Sequence, residues 1–142
     1  MKRIIEKLKE EFKNEILDIL QPNEKRVYVK INKEALIKIA EFLYKQLKLR
    51  FIIASGMDSK EGFEIVYHFS NDKTGAIINL KVLLPHNRPE VDSLVNVTKG
   101  AEWIEREIHD LLGIKFRNHP NLVRFILPED WPENVYPLRR KY

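Results

Sequence analysis

The stretch from Gly100 to Trp131 holds most of the side chains in this chain that could do chemistry. Three carboxylates, Glu105, Glu107 and Asp110, fall within six consecutive residues. Paired carboxylates serve as general acid and general base in many enzymes. On a helix, however, Glu107 and Asp110 share a face, whereas Glu105 points about 200° away from Glu107. This spacing disfavours a catalytic centre.

The same stretch offers ion pairs along a helix. Arg106 stands four residues before Asp110 and four residues after Glu102, and residues four apart are neighbours on a helix surface. The pattern therefore favours a run of helical ion pairs. A polar cluster that faces a partner protein is the alternative.

Metal ligands are not arranged in a recognisable pattern. The histidines are His68, His86, His109 and His119. No two of them stand at His-x-His or His-x-x-x-His spacing, and adding Glu107 gives only a generic trio with His109 and His119. The chain has no cysteine, which excludes thiolate-held iron–sulfur clusters, disulfides and cysteine nucleophiles. We expect no catalytic residue, no metal ligand and no bound cofactor.

Length and composition fit a single domain of 142 residues with a hydrophobic content of 44%. The 25 basic and 21 acidic residues give a mixed surface with a net charge of +4. No apolar run approaches the roughly 18 residues that a membrane span requires, and charges interrupt any signal-peptide centre. A cysteine-free chain suits the cytoplasm, and its wealth of Lys and Glu is typical of thermophile proteins.

Apolar spacing predicts an α+β fold in which two N-terminal helices pack on a mixed four-stranded sheet. A helical period predicts the first helix over residues 2–20, ended by Pro22. Asn32 is expected to cap the second helix, over residues 33–48. The strands are predicted at residues 26–31, 50–58, 62–71 and 76–85, the last three as a meander of hairpins.

A third helix is predicted between Thr98, as its cap, and Gly113, as its C-terminal glycine. Its buried stripe is expected to be Ala101, Ile104, Ile108 and Leu111. Four prolines follow, so the remaining chain cannot form a long helix or a central strand, yet it is too apolar for a disordered linker. We predict a compact domain over residues 1–114 and an extended Pro-rich tail over residues 115–142, held against this domain or against a partner.

The tail also allows nucleic-acid binding, because basic residues interleaved with aromatic ones can bind phosphates and stack on bases. The basic residues are Arg117, Arg124, Arg139, Arg140 and Lys141, and the aromatic ones are Phe116, Phe125, Trp131 and Tyr136. Three acidic residues in the same stretch oppose phosphate binding. The residues themselves favour a cytoplasmic, non-catalytic interaction domain, with a small stand-alone module that binds nucleic acid as the alternative.

The order of residues from Glu105 to Arg139 resembles the signature of the C subunit of NADH–quinone oxidoreductase, the 30 kDa subunit family of respiratory complex I. The positions that carry the resemblance are Glu105, Arg106, Glu107, Asp110, Leu111, Leu112, Gly113, Ile114, Phe116, His119, Pro120, Asn121, Leu122, Arg124, Asp130, Trp131, Pro137, Leu138 and Arg139. The family includes the equivalent subunits of energy-converting membrane-bound nickel–iron hydrogenases, F420-type dehydrogenases, formate hydrogenlyases and sulfur-reducing complexes.

This resemblance implies a non-catalytic assembly subunit in the hydrophilic arm of a membrane-bound oxidoreductase, peripheral on the cytoplasmic side of the membrane. Such a subunit packs against the D-type (49 kDa-like) or hydrogenase large subunit. Partner subunits hold the iron–sulfur clusters and the quinone or nickel–iron site, and no nucleic acid is expected. The residues implied at the partner interface are Glu105, Arg106, Glu107, Asp110, Phe116, His119, Pro120, Arg124, Trp131, Pro137, Leu138 and Arg139.

Overall fold

A computed structural model describes residues 1–141 and shows an α+β fold built on one five-stranded sheet. The strands of this sheet are β1 (Ile16–Asn23), β2 (Arg26–Ile31), β3 (Arg50–Ser59), β4 (Gly62–Asn71) and β5 (Ala76–Leu84). The α-helices are α1 (Lys2–Glu11), α2 (Leu36–Glu41) and α3 (Glu102–Leu112). Two short strands, β6 (Glu90–Asp92) and β7 (Lys115–Arg117), pair in parallel as a separate sheet.

The sheet has the order β1-β2-β5-β4-β3, and β2 runs parallel to β5 while the other pairs are antiparallel. The α+β class and the mixed sheet are therefore confirmed, but the predicted count of four strands is wrong. Paired residues point to one face, so Ala54, Tyr67 and Leu80 lie side by side on three strands. That face is apolar and forms a single core with the apolar sides of the helices. Within residues 1–141, no helix is long and apolar enough to cross a bilayer.

The predicted first helix over residues 2–20 is wrong beyond Glu11, because its second half forms the edge strand β1. A register shift just after Ile16 puts Ile16 and Ile19 on the same face of the strand, opposite two core residues of β2. Their three-residue spacing therefore looks helical in the sequence. Pro22 lies in this edge strand, where a missing N–H is tolerated.

The predicted second helix is α-helical only in its middle part. A 3-10 turn (Lys33–Ala35) leads into α2, and a π-helical turn (Phe42–Gln46) follows it. Asn32 stands at the cap position, but there its carbonyl accepts the Ala35 N–H at 3.0 Å, and its side chain makes no capping bond to the described residues. Strands β2 to β5 lie where the sequence predicts strands.

Candidate functional site on helix α3

Helix α3 packs closely on β3 because β3 carries a glycine at the contact. A Cβ atom on Gly56 would stand 3.0 Å from the Leu112 side chain and 3.2 Å from the Ile108 side chain, so even a methyl group there would require these side chains to shift. Before the helix, the Thr98 hydroxyl accepts a hydrogen bond from the Gly100 N–H at 3.4 Å. The cap predicted at Thr98 is thus confirmed.

The buried side of α3 includes two acidic residues that the predicted stripe left out. Of that stripe, Ala101 and Ile108 are buried, while Ile104 and Leu111 are half-buried. Leu112 is buried instead of Leu111, and Glu105 and Asp110 are buried beside these apolar residues. Since buried carboxylates require hydrogen-bond partners, each must have a structural task.

Glu105 joins α3 to the loop that follows β6. Its side chain has almost no exposed surface, and its two oxygens accept hydrogen bonds from the Ser93 hydroxyl at 2.5 Å and from the Leu94 N–H at 2.8 Å. Burial raises the pKa of Glu105 to about 7, against the opposing effect of these two bonds. The Tyr67 hydroxyl, buried in β4, has no hydrogen-bond partner among the described residues. Burial first, and then the charge of Glu105, raise the pKa of Tyr67 well above its usual value.

His119 fixes the start of the C-terminal segment, by which we mean residues 115–141. Its Nε2–H donates to the Glu102 carbonyl at 2.9 Å, and its Nδ1 accepts the Asn121 N–H at 3.0 Å. This pattern requires the tautomer protonated on Nε2 alone. His119 Nε2 also lies 4.0 Å from Glu105 Oε1, so the turn at His119 and the buried carboxylate are adjacent.

Arg106 and Asp110 together hold residues 123–127 of the C-terminal segment. The Arg106 guanidinium donates to the carbonyls of Val123 at 3.3 Å and Arg124 at 3.1 Å. One helical turn later, Asp110 Oδ2 accepts the N–H groups of the next three residues, Phe125, Ile126 and Leu127, at 2.8, 2.8 and 3.2 Å. We call this arrangement the Arg106–Asp110 clamp. It satisfies five backbone groups of an irregular segment that lacks a strand partner among the described residues.

The helical ion pairs interpreted from the sequence are therefore wrong for this arginine. No ion pair between Arg106 and Asp110, or between Arg106 and Glu102, occurs within the described 141 residues. Their i,i+4 spacing places Arg106 and Asp110 on one face, as predicted, but both face backbone groups. Burial opposes ionisation of Asp110, yet its three N–H donors outweigh burial and lower its pKa.

Two more arginines bind backbone carbonyls of the chain itself. Arg124 donates to the carbonyls of Pro128 at 2.7 Å and Trp131 at 2.6 Å, which closes the turn at residues 128–131. Arg139 donates to the Leu112 carbonyl at 2.6 Å, and its guanidinium stacks 4.5 Å from the centre of the Tyr136 ring. The Arg139 bond holds the end of the C-terminal segment against the end of α3.

The remaining residues implied at the interface differ in how far they are exposed to solvent. Phe116, in β7, is buried and belongs to the core. Glu107 and Trp131 are half-buried, whereas Pro120 and Pro137 are exposed. Leu138 is exposed, although its N–H donates to the Leu111 carbonyl at 3.0 Å. Only part of the implied set therefore reaches the surface of this chain.

An exposed apolar patch lies over the clamp. Its members are Trp103, Val123, Phe125 and Ile126, all exposed. The ring centres of Trp103 and Phe125 are 5.8 Å apart, and the Arg106 guanidinium lies 4.7 Å from the Phe125 ring centre. Trp103, with 65% of its surface exposed, is a residue that sequence reasoning missed. The sequence signal that could have found it is that Trp103 lies on α3 but outside the predicted buried stripe.

The basic residues considered for nucleic-acid binding are mostly engaged. Arg117 donates to Asp92 at 2.9 Å, and Arg124 and Arg139 bind the carbonyls described above. Arg140 and Lys141 are exposed. Three of the five cations thus already have partners within the fold, which disfavours a phosphate-binding row.

The geometry gives no metal centre among residues 1–141, which contain no group of three or more metal-binding side chains. The generic trio does not converge, since His109 Nδ1 donates to the Ile114 carbonyl at 2.8 Å while His119 binds the Glu102 carbonyl. A polar cavity of about 220 Å³ lies between α3 and residues 131–136, with Asp110 and Arg124 in its wall.

Replacing Gly113 by Ala is expected to destabilise the protein by about 2 kcal/mol or more and to release the end of the C-terminal segment. Gly113 ends α3 with φ +75°, and an added Cβ would lie 2.5 Å from Arg139 and 2.6 Å from the Tyr136 ring. Gly75→Ala is the matched control, because Gly75 has φ +76° and open space around it. Urea unfolding should show a clearly smaller loss for Gly75→Ala, and equal losses would contradict the packing argument.

Known proteins resemble this chain over most of its length. The family model described as respiratory-chain NADH dehydrogenase, 30 Kd subunit, matches residues 29–142. The C subunit of NADH-quinone oxidoreductase from Citrifermentans bemidjiense is 34% identical over 146 residues, which cover 99% of this chain and 88% of that protein. The C subunit of F(420)H(2) dehydrogenase from Methanosarcina mazei is 33% identical, with 98% of this chain and 89% of that protein covered.

Two further likenesses differ in extent. The C/D subunit of NADH-quinone oxidoreductase from Methylococcus capsulatus is 40% identical over 80 residues, covering 56% of this chain and 13% of that much longer protein. In a solved structure of the membrane-bound sulfane sulfur reductase, an archaeal respiratory membrane complex, one chain superposes with a TM-score of 0.80. That match covers 96% of this chain and 81% of the other at 21% identity, so it shows a shared fold.

Proposed function

Because this chain belongs to the respiratory-chain NADH dehydrogenase 30 kDa subunit family, we propose that it is a non-catalytic assembly subunit of a membrane-bound complex I-like oxidoreductase. Its relatives are named as subunits of NADH-quinone oxidoreductase and of F(420)H(2) dehydrogenase. The chain docks on the large, D-type or hydrogenase-like subunit and lies peripherally on the cytoplasmic side of the membrane.

The observation that carries this proposal is the Arg106–Asp110 clamp beneath the exposed apolar patch. The clamp uses two charged side chains to hold five backbone groups, and the result is a fixed surface of aromatic and aliphatic side chains. A surface ordered before binding loses little conformational entropy on association. Exposed tryptophan in such a patch is typical of interface hot spots.

In this proposal the implied interface residues act in two ways. One group shapes the surface from beneath: Glu105, Arg106, Asp110, Phe116, His119 and Arg124. The other group contacts the partner: Glu107, Pro120, Trp131, Pro137, Leu138 and Arg139, joined by the patch around Trp103. Three members of the first group are buried, and the other three are half-buried with polar atoms bonded to the backbone of this chain. The members of the second group are exposed or half-buried.

The name of one relative supports the D-type subunit as the proposed partner. The Methylococcus capsulatus protein carries both letters, C and D, in the name of one polypeptide, and this chain matches a part of it. Fusion of C to D in one chain favours their contact when they are separate. Iron–sulfur clusters and the quinone or nickel–iron site then belong to partner subunits, and this chain binds no cofactor.

Trp103→Asp is expected to lower recovery of the large subunit at least about ten-fold when the tagged chain is purified from solubilised native membranes, because loss of a hot-spot tryptophan costs about 2 kcal/mol or more. Aspartate in the first turn of α3 favours the helix, so the fold is retained. Leu20→Asp is the matched control, since Leu20 is 61% exposed on the distant strand β1.

Mass spectrometry would identify what accompanies the wild-type chain. A D-type or hydrogenase-like large subunit with iron–sulfur subunits is the expected result, and nickel would assign the hydrogenase branch. Recovery of the wild-type chain alone, or with nucleic acid, would overturn the proposal. Equal recovery with Trp103→Asp and Leu20→Asp would remove the patch from the interface.

A further inference from the structure

Three polar side chains form a chain of hydrogen bonds on the face of the main sheet that lies opposite the core. Ser55 of β3, His68 of β4 and Asn79 of β5 stand on neighbouring strands. Ser55 Oγ lies 2.9 Å from His68 Nε2, and His68 Nδ1 lies 2.6 Å from Asn79 Oδ1. A hydroxyl, an imidazole and a side-chain oxygen in this order are the arrangement of an activated nucleophile.

A backbone carbonyl fixes the direction of every bond in this chain. The Asn79 Nδ2 group donates to the Val27 carbonyl at 3.1 Å, so Asn79 Oδ1 is the atom that faces His68. An amide oxygen only accepts, hence neutral His68 carries its proton on Nδ1 and has a lone pair on Nε2. That lone pair accepts the Ser55 hydroxyl hydrogen. His68 is therefore in the tautomer that a general base for Ser55 requires.

Burial does not account for the bond that Ser55 makes. Asn79 is only 2% exposed and needs partners, which the Val27 carbonyl and the imidazole supply. Ser55 is exposed, so water would satisfy its hydroxyl without the imidazole. Ser59, four residues further along β3, donates its hydroxyl to the Gly62 carbonyl at 2.7 Å. A carbonyl oxygen does not take up a hydroxyl proton at neutral pH, whereas an imidazole does.

Apolar side chains lie on both sides of the Ser55 hydroxyl. Ile53 and Met57 stand two residues away on the same face of β3, with 45% and 51% of their surfaces exposed. The charged residues Glu64 and Lys81 on the adjoining strands form an ion pair at 3.5 Å. The surroundings of the hydroxyl therefore favour an apolar group over a charged one.

The site favours an acyl donor with a good leaving group. Because β3 is an edge strand, alternate residues direct their N–H groups away from the sheet, and one such group belongs to Ser55 or to a residue beside it. Such an N–H can donate to a developing oxyanion, but a complete oxyanion hole combines several donors. Amides and simple oxygen esters, which have poor leaving groups, are therefore unsuitable. A thioester suits the site because a thiol has a pKa of about 8.5, so its thiolate leaves readily.

We propose that Ser55 is a site of covalent acylation by thioesters with an apolar acyl chain. The lone pair of Ser55 Oγ forms a C–O bond to the thioester carbonyl carbon, and the hydroxyl proton passes to His68 Nε2. The C–S bond then breaks, its electron pair leaves with sulfur, and the thiolate takes the proton from His68. The products are an acyl ester on Ser55 and a free thiol, with no change of oxidation state.

Asn79 is a positioning residue, since it holds the imidazole in the required tautomer. One acyl group is taken up per chain, so the site is compatible with an assembly subunit that has no turnover of its own. The inference does not rest on the proposed function, because Ser55, His68 and Asn79 are not among the proposed interface residues.

The test incubates the purified full chain with the hexanoyl thioester of N-acetylcysteamine at neutral pH. Tandem mass spectrometry locates the acyl groups and measures how fast each forms. Labelling of Ser55 should be at least about a hundred-fold faster than labelling of Ser59, because general base catalysis contributes at least about that factor. The acetyl thioester should label Ser55 more slowly, because it has less apolar surface to place against Ile53 and Met57.

Variants separate the roles of the base and of its support. His68→Ala should lower the labelling rate of Ser55 at least about a hundred-fold, and imidazole added to the solution should restore part of the rate. Asn79→Leu should lower the rate at least about ten-fold, whereas Asn79→Asp keeps an acceptor for the Nδ1 proton and should retain labelling. Circular dichroism checks that each variant is folded, and the comparison of Ser55 with Ser59 needs no variant.

The proposal is overturned if Ser55 is labelled no faster than Ser59, if His68→Ala is labelled at the wild-type rate, or if imidazole restores nothing. Equal rates with the acetyl and hexanoyl thioesters would overturn the assignment of an apolar chain, and equal rates in the two Asn79 variants would overturn its positioning role. Ser55→Ala should leave recovery of the large subunit unchanged. A failed membrane purification with rapid labelling of Ser55 would thus concern only the proposed function, and the reverse result only this inference.

Discussion

Glu105→Gln is expected to stabilise the protein at pH 8 by about 3 kcal/mol and to remove most of the pH dependence of its unfolding free energy between about pH 4.5 and 7. Burial raises the pKa of Glu105 to about 7 in the fold, and the unfolded chain has the ordinary value near 4.5. Between these values the folded state holds a proton that the unfolded state has released. Stability therefore falls as pH rises through this window and levels off above it.

Glutamine imitates the protonated acid. Its oxygen can accept the Leu94 N–H, and its amide group can donate to the Ser93 hydroxyl, so both partners of Glu105 remain bonded. Urea unfolding at a series of pH values measures the effect. Glu102→Gln, on the half-exposed side of the same helix, is the control and should leave the pH profile unchanged. A Glu105→Gln variant less stable than wild type at pH 8 would contradict the argument.

Asp110→Ala is expected to lower the unfolding free energy by about 3 kcal/mol and to accelerate amide exchange at residues 125–127. A hydrogen bond to a charged group contributes roughly 1.5–3 kcal/mol. The three N–H groups share the single acceptor Oδ2, and water can reach the exposed residues Phe125 and Ile126 after the substitution, so the expected loss is near the upper value for one such bond. The contribution also depends on pH. Because the folded pKa of Asp110 lies below its ordinary value, the stability is present at neutral pH and is lost as pH falls through the folded pKa.

Two further variants sharpen this measurement. Asp130→Ala removes a carboxylate from the same segment at an exposed position and should change stability by less than about 0.5 kcal/mol. Asp110→Asn keeps one acceptor oxygen without the charge and should fall between wild type and Asp110→Ala. Unchanged exchange at residues 125–127 in Asp110→Ala would show that the segment is held by other contacts.

Helix α3 was predictable because its limits carry local signals. Thr98 and Gly113 are residues of the types that begin and end helices, and the structure uses both in those roles. Strand β1 was not predictable in the same way, because a bulge after Ile16 converts a strand into a three-residue apolar period. The pairing of β6 with β7 joins two three-residue strands far apart in the chain, a contact that local spacing does not encode.

The clamp shows a different limit of sequence reasoning. Spacing alone placed Arg106 and Asp110 on one face of a helix. Because their charges are opposite, an ion pair between them was the obvious prediction. Their actual partners are carbonyl and N–H groups of residues 123–127. Every residue other than proline carries the same backbone N–H and C=O groups, so the sequence does not mark which of them will serve as partners. The resemblance singled out the two residues but did not indicate this geometry.

The parallel pairing of β2 with β5 has a consequence for synthesis of the chain on the ribosome. The β1–β2 hairpin emerges first, but the neighbour of β2 on its inner side is β5, whose residues 76–84 follow much later in the chain. Val27 and Val29, both buried in the finished sheet, lack that neighbour until β5 has emerged. Contacts of such long sequence separation form late in folding. A nascent chain that ends before β5 therefore has an incomplete core and is not expected to fold as an independent domain.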